Sequence, residues 1–155
     1  MKSLREWVLE SVGIYIGMKP TIQSQKEIMM IIGMNPIANA IKPDQLHTTI
    51  IYSRKYDRVN LIPLRYAQGV FSKLSLFGED KNVLVMELSS ESLVSEHEKI
   101  MREYDLTWDW DEYKPHITLS YNFTGNLNDI VIPEGFTIEF DLEYQEDLDL
   151  TKDYE

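Results

Sequence analysis

Two short runs of the chain place a histidine two residues before a threonine: LHTTI, with His47 and Thr49, and PHITL, with His116 and Thr118. The runs agree further. Each histidine has an aliphatic residue three positions on (Ile50, Leu119), a tyrosine five positions on (Tyr52, Tyr121) and a Lys-Pro pair shortly before it, and the two histidines lie 69 residues apart. In a β-strand, residues i and i+2 share a face, so each run turns its histidine and threonine toward one cavity. Two imidazoles titrating near neutral pH divide the proton transfers of phosphodiester cleavage, one deprotonating the attacking oxygen and the other protonating the leaving one. Two hydroxyls then hydrogen-bond the non-bridging phosphate oxygens. This chemistry needs no metal and no cofactor. Zinc held by two histidines would want a third protein ligand, and neither an HExxH pattern nor a close His/Asp cluster supplies one. The third histidine, His97 in SEHEK, lacks the pattern and is expected at the surface of a helix.

The elements that must position these residues follow from periodicity and turn chemistry. Residues 3–11 place Leu4, Trp7 and Val8 on one helical face, and GIYIGM alternates as a short strand. Thr21 caps an amphipathic helix ended by Gly33, with its methionines as core filler. HTTIIYS is a β-branched strand, and AQGVFSKLSLFGEDKNVLVMELSS is a hairpin joined near 78–81. Ser90 or Ser92 caps a helix whose buried stripe is Leu93, Ile100 and Met101. The strands HITLSYNF and FTIEFDLEY follow, separated by turns at 124–126 and 133–135. Helices mixed with strands, without regular βα alternation, predict an α+β class.

The chain has 155 residues, no cysteine, 15 Lys plus Arg and 26 Asp plus Glu, for a net charge of −11. That length suits one domain over 1–155. The acidic field opposes binding to long nucleic acid, which needs a basic track, but admits a small phosphate ligand. Much of the acidic excess sits at about 146–155 and is expected as a solvated, partly frayed tail. The apolar run 12–18 is short for a signal peptide and far too short to span a bilayer, so no membrane association is expected and the cytoplasm is the default.

LHTTI and PHITL resemble the paired His-x-Thr motifs of the two-histidine (2H) phosphoesterase superfamily. SVGIYIGMKP, KNVLVMELSS, DEYKPHITLSYNF and FDLEYQEDLDL extend the resemblance, over nearly the whole chain, to the phage anti-CBASS branch of that superfamily. The resemblance implies two pseudo-symmetric lobes of antiparallel strands with flanking helices around a central cleft. It implies a phosphodiesterase that opens 3′,3′-linked cyclic di- and oligonucleotide messengers, acting in the infected bacterium without an obligate protein partner. It assigns His47 and His116 as acid and base and Thr49 and Thr118 as phosphate holders. Tyr15 and Phe77 would stack on nucleobases, and Glu143, with Glu146 close by, would read an adenine amino group. Tyr15 and Phe77 are otherwise core aromatics. A phosphodiesterase for 2′,3′-cyclic ends or 2′,5′ linkages, and a non-catalytic cyclic-nucleotide sponge, are the alternatives.

Overall fold

A computed structural model describes residues 13–55, 58–151 and 154; the helix expected over 3–11 lies outside them. The elements in chain order are β1 (Ile14–Pro20), α1 (Ile22–Gly33), β2 (Thr48–Ser53), β3 (Tyr66–Phe77), β4 (Val83–Ser89), α2 (Glu91–Glu103), β5 (His116–Ser120) and β6 (Thr137–Asp147). All strand pairs are antiparallel, in one six-stranded sheet of order β2-β1-β6-β3-β4-β5. This is the expected α+β class. Among the described residues no helix is long and apolar enough to cross a membrane.

The 69-residue spacing of the two histidines extends to the whole architecture. Adding 69 to the start of β1 gives that of β4, and the same step carries α1 onto α2, β2 onto β5 within a residue, and β3 onto β6 within two residues. Exchanging the elements in this way reverses the sheet order without changing it, which is a pseudo-two-fold axis passing between β6 and β3. Even the helix caps correspond. The hydroxyl of Thr21 accepts from the Ser24 N–H, and that of Ser90, 69 positions later, accepts from the Leu93 N–H.

The two histidine-bearing strands are the two edges of this sheet, and its curl brings them together. Thr48 Oγ1 donates to the carbonyl of His116 at 2.8 Å, and Ala40 bridges to Ser120. A β-bulge interrupts each edge strand directly after its threonine. In β2, Ile51 opposes Ile16 but Thr49 opposes Gly17, leaving Ile50 as the extra residue. In β5, Ser120 opposes Leu84 but Thr118 opposes Val85, leaving Leu119. A bulge advances the alternation by one, so the face carrying histidine and threonine continues on to the tyrosine five positions after the histidine. Strict alternation would have sent Tyr52 and Tyr121 to the opposite side.

The helices cover the other face. Ile28, Ile31 and Ile32 of α1 and Leu93 and Ile100 of α2 are buried there against β-strand aliphatics. Met30 and Met34 are exposed rather than core filler, because they fall on the outer side of α1. His97 is also corrected. It is buried, 8% exposed, because it shares the inner stripe of α2 with Leu93 and Ile100. The expected frayed tail is ordered where it is described. Leu148 and Tyr154 are both buried, and the Leu148 N–H donates to the Gly13 carbonyl.

Candidate active site

His47 and His116 are each half-buried, and each ring is fixed by the same local bond. Nδ1 of His47 lies 2.8 Å from the Gln45 carbonyl and Nδ1 of His116 lies 2.7 Å from the Lys114 carbonyl, so in both cases Nδ1 is the donor. The Nε2 atoms differ. Nε2 of His47 lies 2.9 Å from the carbonyl oxygen of Tyr154, a second pure acceptor, so only a doubly protonated ring donates to both partners. The pKa of His116 is depressed, chiefly by burial and further by the neighbouring His47, against the opposing pull of the Lys114 carbonyl.

The threonines are equally unequal. Thr49 Oγ1 donates to the same Tyr154 carbonyl at 2.9 Å and lies 3.0 Å from the Tyr15 hydroxyl. Gly17 makes that second contact possible, because a Cβ there would come within 2.7 Å of the Tyr15 hydroxyl oxygen and 2.9 Å of the Thr48 carbonyl. Thr118 Oγ1 is buried with no hydrogen-bond partner among the described residues.

Two cavities flank this centre and obey the pseudo-two-fold axis. The first, about 360 Å³, is lined by Tyr52, Phe77, Lys114 and His116 together with Trp108 and Trp110. The second, about 600 Å³, is lined by Tyr121, Glu146, Gln45 and His47 together with Lys19 and Tyr144. The first four residues of each cavity are counterparts 69 positions apart. Tyr154 borders both cavities and separates them. The first cavity is aromatic: Phe77 meets the His116 ring edge-on at 4.9 Å between centroids, and Tyr52 meets Trp110 at 5.4 Å, with Trp110 42% exposed. In the second, the counterpart of Phe77 is a carboxylate.

The structure brings Thr49, His116 and Phe77 to the first cavity and His47 to the second, leaves Thr118, two residues after His116 in β5, lining neither, and places the other two expected residues elsewhere. Tyr15 is wholly buried, and the Tyr154 ring packs on it tilted by 34°, at 4.1 Å between centroids, so the ring expected to hold a base is covered by the chain itself. Glu143 lines neither cavity. It is 2% exposed, and its Oε1 accepts from the Leu64 N–H, because the positive-φ residue Leu142 breaks the alternation of β6 and turns Glu143 toward the helix side. Glu146 is the β6 carboxylate that reaches the cleft. Sequence reasoning missed Trp108, Trp110 and Tyr154. The alternation of tryptophan and acid in TWDWDEYK, just before PHITL, was the available signal for the first two.

Glu143 faces Glu96 of α2, and neither Oε2 atom has a protein donor, which a proton held between the two carboxyls accounts for. Burial first, and the bond to Glu96 second, push the Glu143 carboxyl up to about 8. The folded chain therefore retains a proton between the ordinary carboxylate range and about pH 8 that the unfolded chain releases. Stability contributed by this group is present at low pH and declines as pH rises through that window, with a limiting slope of about 1.4 kcal/mol per pH unit. Urea unfolding midpoints are expected to fall from pH 5.5 to pH 8, and Glu143→Gln is expected to flatten that fall. An equal fall in the variant would place the titrating group elsewhere.

The sequence profile of the family described as "Anti-CBASS protein Acb1" matches residues 12–155. The Anti-CBASS protein Acb1 of Vibrio phage KVP40 is 32% identical over 145 residues, covering 92% of this chain and 91% of that protein. The protein of the same name from Enterobacteria phage T4 is 34% identical over 152 residues, covering 90% and 91%. A solved structure titled as a phosphoesterase superposes with a TM-score of 0.61 at 11% identity, over 88% of this chain and 87% of the other, which is a likeness of fold. With the paired edge-strand motifs in place and the profile spanning nearly all of its length, this chain belongs to the Anti-CBASS protein Acb1 family.

Proposed function

We propose that the cleft is a metal-independent phosphodiesterase site that opens 3′,3′-linked cyclic di- and oligonucleotides, and that a phage uses it in the cytoplasm of the infected bacterium to remove the messengers of CBASS immunity. The observation that carries this reading is the carbonyl oxygen of Tyr154, held 2.9 Å from His47 Nε2 and 2.9 Å from Thr49 Oγ1. A non-bridging phosphate oxygen would find the same two donors there. The family to which the chain belongs adds weight to a messenger-degrading role.

In this reaction the ribose 2′-hydroxyl next to the scissile bond attacks phosphorus. His116, with its depressed pKa and its Nδ1 held by the Lys114 carbonyl, takes the hydroxyl proton at Nε2. The bond from phosphorus to the 5′-oxygen breaks, His47 protonates that oxygen, and a 2′,3′-cyclic phosphate end results. Thr49 and Thr118 hold the non-bridging oxygens as charge moves onto them. The aromatic cavity of Phe77, Tyr52 and Trp110 stacks one base without regard to its identity. The carboxylate of Glu146 accepts from an exocyclic amino group of the other base, taking the part first expected of Glu143.

The test is incubation of the purified chain with a cyclic dinucleotide in EDTA, followed by chromatographic separation. A linear product is the expected outcome. Release of unchanged ligand on heat denaturation would replace the enzyme with a sponge, and activity confined to 2′,3′-cyclic or 2′,5′-linked RNA ends would replace the substrate class.

A further inference from the structure

The two edge-strand bulges that aim the threonines are held by different means. The carbonyl of Leu119, the extra residue of β5, accepts the backbone N–H of Ile41 at 2.8 Å. Its counterpart in β2, the Ile50 carbonyl, is bonded instead by a side chain, Nδ1 of His97, at 2.7 Å. The adjacent Thr49 carbonyl accepts the Tyr113 hydroxyl at 2.7 Å. The two side chains support each other, since the His97 and Tyr113 rings stack at 4.1 Å between centroids and 5° between planes. The edge of Trp108 closes on both.

An edge strand has no neighbouring strand on its outer side to fix a bulge, so its backbone direction there depends on whatever bonds its free carbonyls. Here both donors come from the opposite half of the molecule. Tyr113 also stands two residues before Pro115, in the segment that leads directly into His116. The grip on the Thr49 backbone and the approach to the second catalytic histidine are therefore one short stretch of chain. Burial depresses the pKa of His97 and raises that of Tyr113, so across neutral pH the ring stays neutral and the hydroxyl keeps the proton it donates.

From these contacts we infer that Tyr113 and His97 are positioning residues for catalysis, which hold the β2 bulge so that the Thr49 hydroxyl keeps its aim at the reacting phosphate. The inference rests on the phosphodiesterase reading of the site. His97 lines neither cavity, and Tyr113 borders the aromatic one. Each acts through the backbone carbonyl it bonds.

Tyr113→Phe keeps the stacked ring and removes only the donor to Thr49. It is expected to lower kcat on a cyclic dinucleotide about 10- to 100-fold, the scale that an ångström of misplacement costs, with little change in KM. A double-mutant cycle separates positioning from general loosening. In a Thr49→Ala background the added loss from Tyr113→Phe is expected to shrink to within about twofold, while in a Thr118→Ala background it is expected to persist in full. An equal loss in both backgrounds overturns the inference, as does wild-type kcat for Tyr113→Phe itself. Should Tyr113→Phe not fold, His97 carries the same test. His97→Asn preserves a donor near the place of Nδ1 and is expected to keep most of the activity, while His97→Phe preserves the ring and loses it; the reverse order overturns the inference. A wild type that binds the cyclic dinucleotide without cleaving it overturns the phosphodiesterase reading and the inference with it. A wild-type chain that neither cleaves nor binds, or one indifferent to Thr49→Ala, refutes the phosphodiesterase reading itself and the inference with it.

Discussion

Alanine in place of His47 or of His116 is expected to lower turnover of a 3′,3′-linked cyclic dinucleotide by about 10²–10⁴-fold, the share that a positioned acid or base contributes, while fold and ligand binding persist. The pH profile carries more detail than the loss. The wild-type rate should be bell-shaped, because one imidazole must be neutral and the other protonated, and the two titrate as a coupled pair. Burial depresses the pKa of His116, so its working, neutral form persists to lower pH than for an ordinary histidine. The acid-side fall therefore lies below the usual histidine range of about 6.5, and in the residual activity of His116→Ala that fall should disappear. Near wild-type turnover in either variant would sink the two-histidine mechanism. His97→Ala is no silent control for this experiment, since His97 is buried and bonded to Ile50.

Loss of either threonine hydroxyl is expected to cost about 10²–10³-fold in kcat, as loss of a donor to a developing oxyanion does elsewhere. The two positions should separate in stability. Thr49→Val removes the bonds its hydroxyl makes to the Tyr154 carbonyl and to the buried Tyr15 hydroxyl, which keeps Tyr144, and should lower the melting temperature, because each lost hydrogen bond costs about 0.5–1.5 kcal/mol. Thr118→Val removes a hydroxyl that has no partner and keeps nearly the same volume, so its melting temperature should hold or rise. Thermal melts beside steady-state kinetics decide it. A Thr118→Val protein that is less stable yet fully active would show that the unpaired hydroxyl serves the fold and not the phosphate.

The paired motif and the two-fold architecture were legible in the sequence because they are a repeat of residue types at fixed spacing, and spacing survives folding. The same repeat held more than the motif, since the tyrosine five positions after each histidine already disagreed with strict strand alternation, and the paired bulges at Ile50 and Leu119 resolve that conflict. His97 was misplaced by residue type although its position, one residue in the stripe Leu93, Glu96, His97, Ile100, matched the helical period of a buried face. Glu143 was misplaced for the opposite reason. Its register in β6 depends on the irregular residue Leu142, and a single inserted step of backbone exchanges the two faces of a strand without a mark in composition. Tyr154 could not be read at all. Its role comes from where the last described stretch of chain folds back, a long-range event in an acidic segment whose composition reads as solvated.

That returning residue makes the site a competition. If the cleft holds a phosphate as proposed, that phosphate must displace the Tyr154 carbonyl from His47 and Thr49. The competitor is tethered only seven residues beyond the end of β6, so it acts at a fixed effective concentration, of about millimolar order for so short a link, however dilute the protein. The apparent dissociation constant is then the intrinsic one divided by the fraction of molecules whose tail has left. Occupancy becomes a matter of how much ligand the cell holds, and the same tether that resists entry also helps to expel a cleaved product that has lost half its grip.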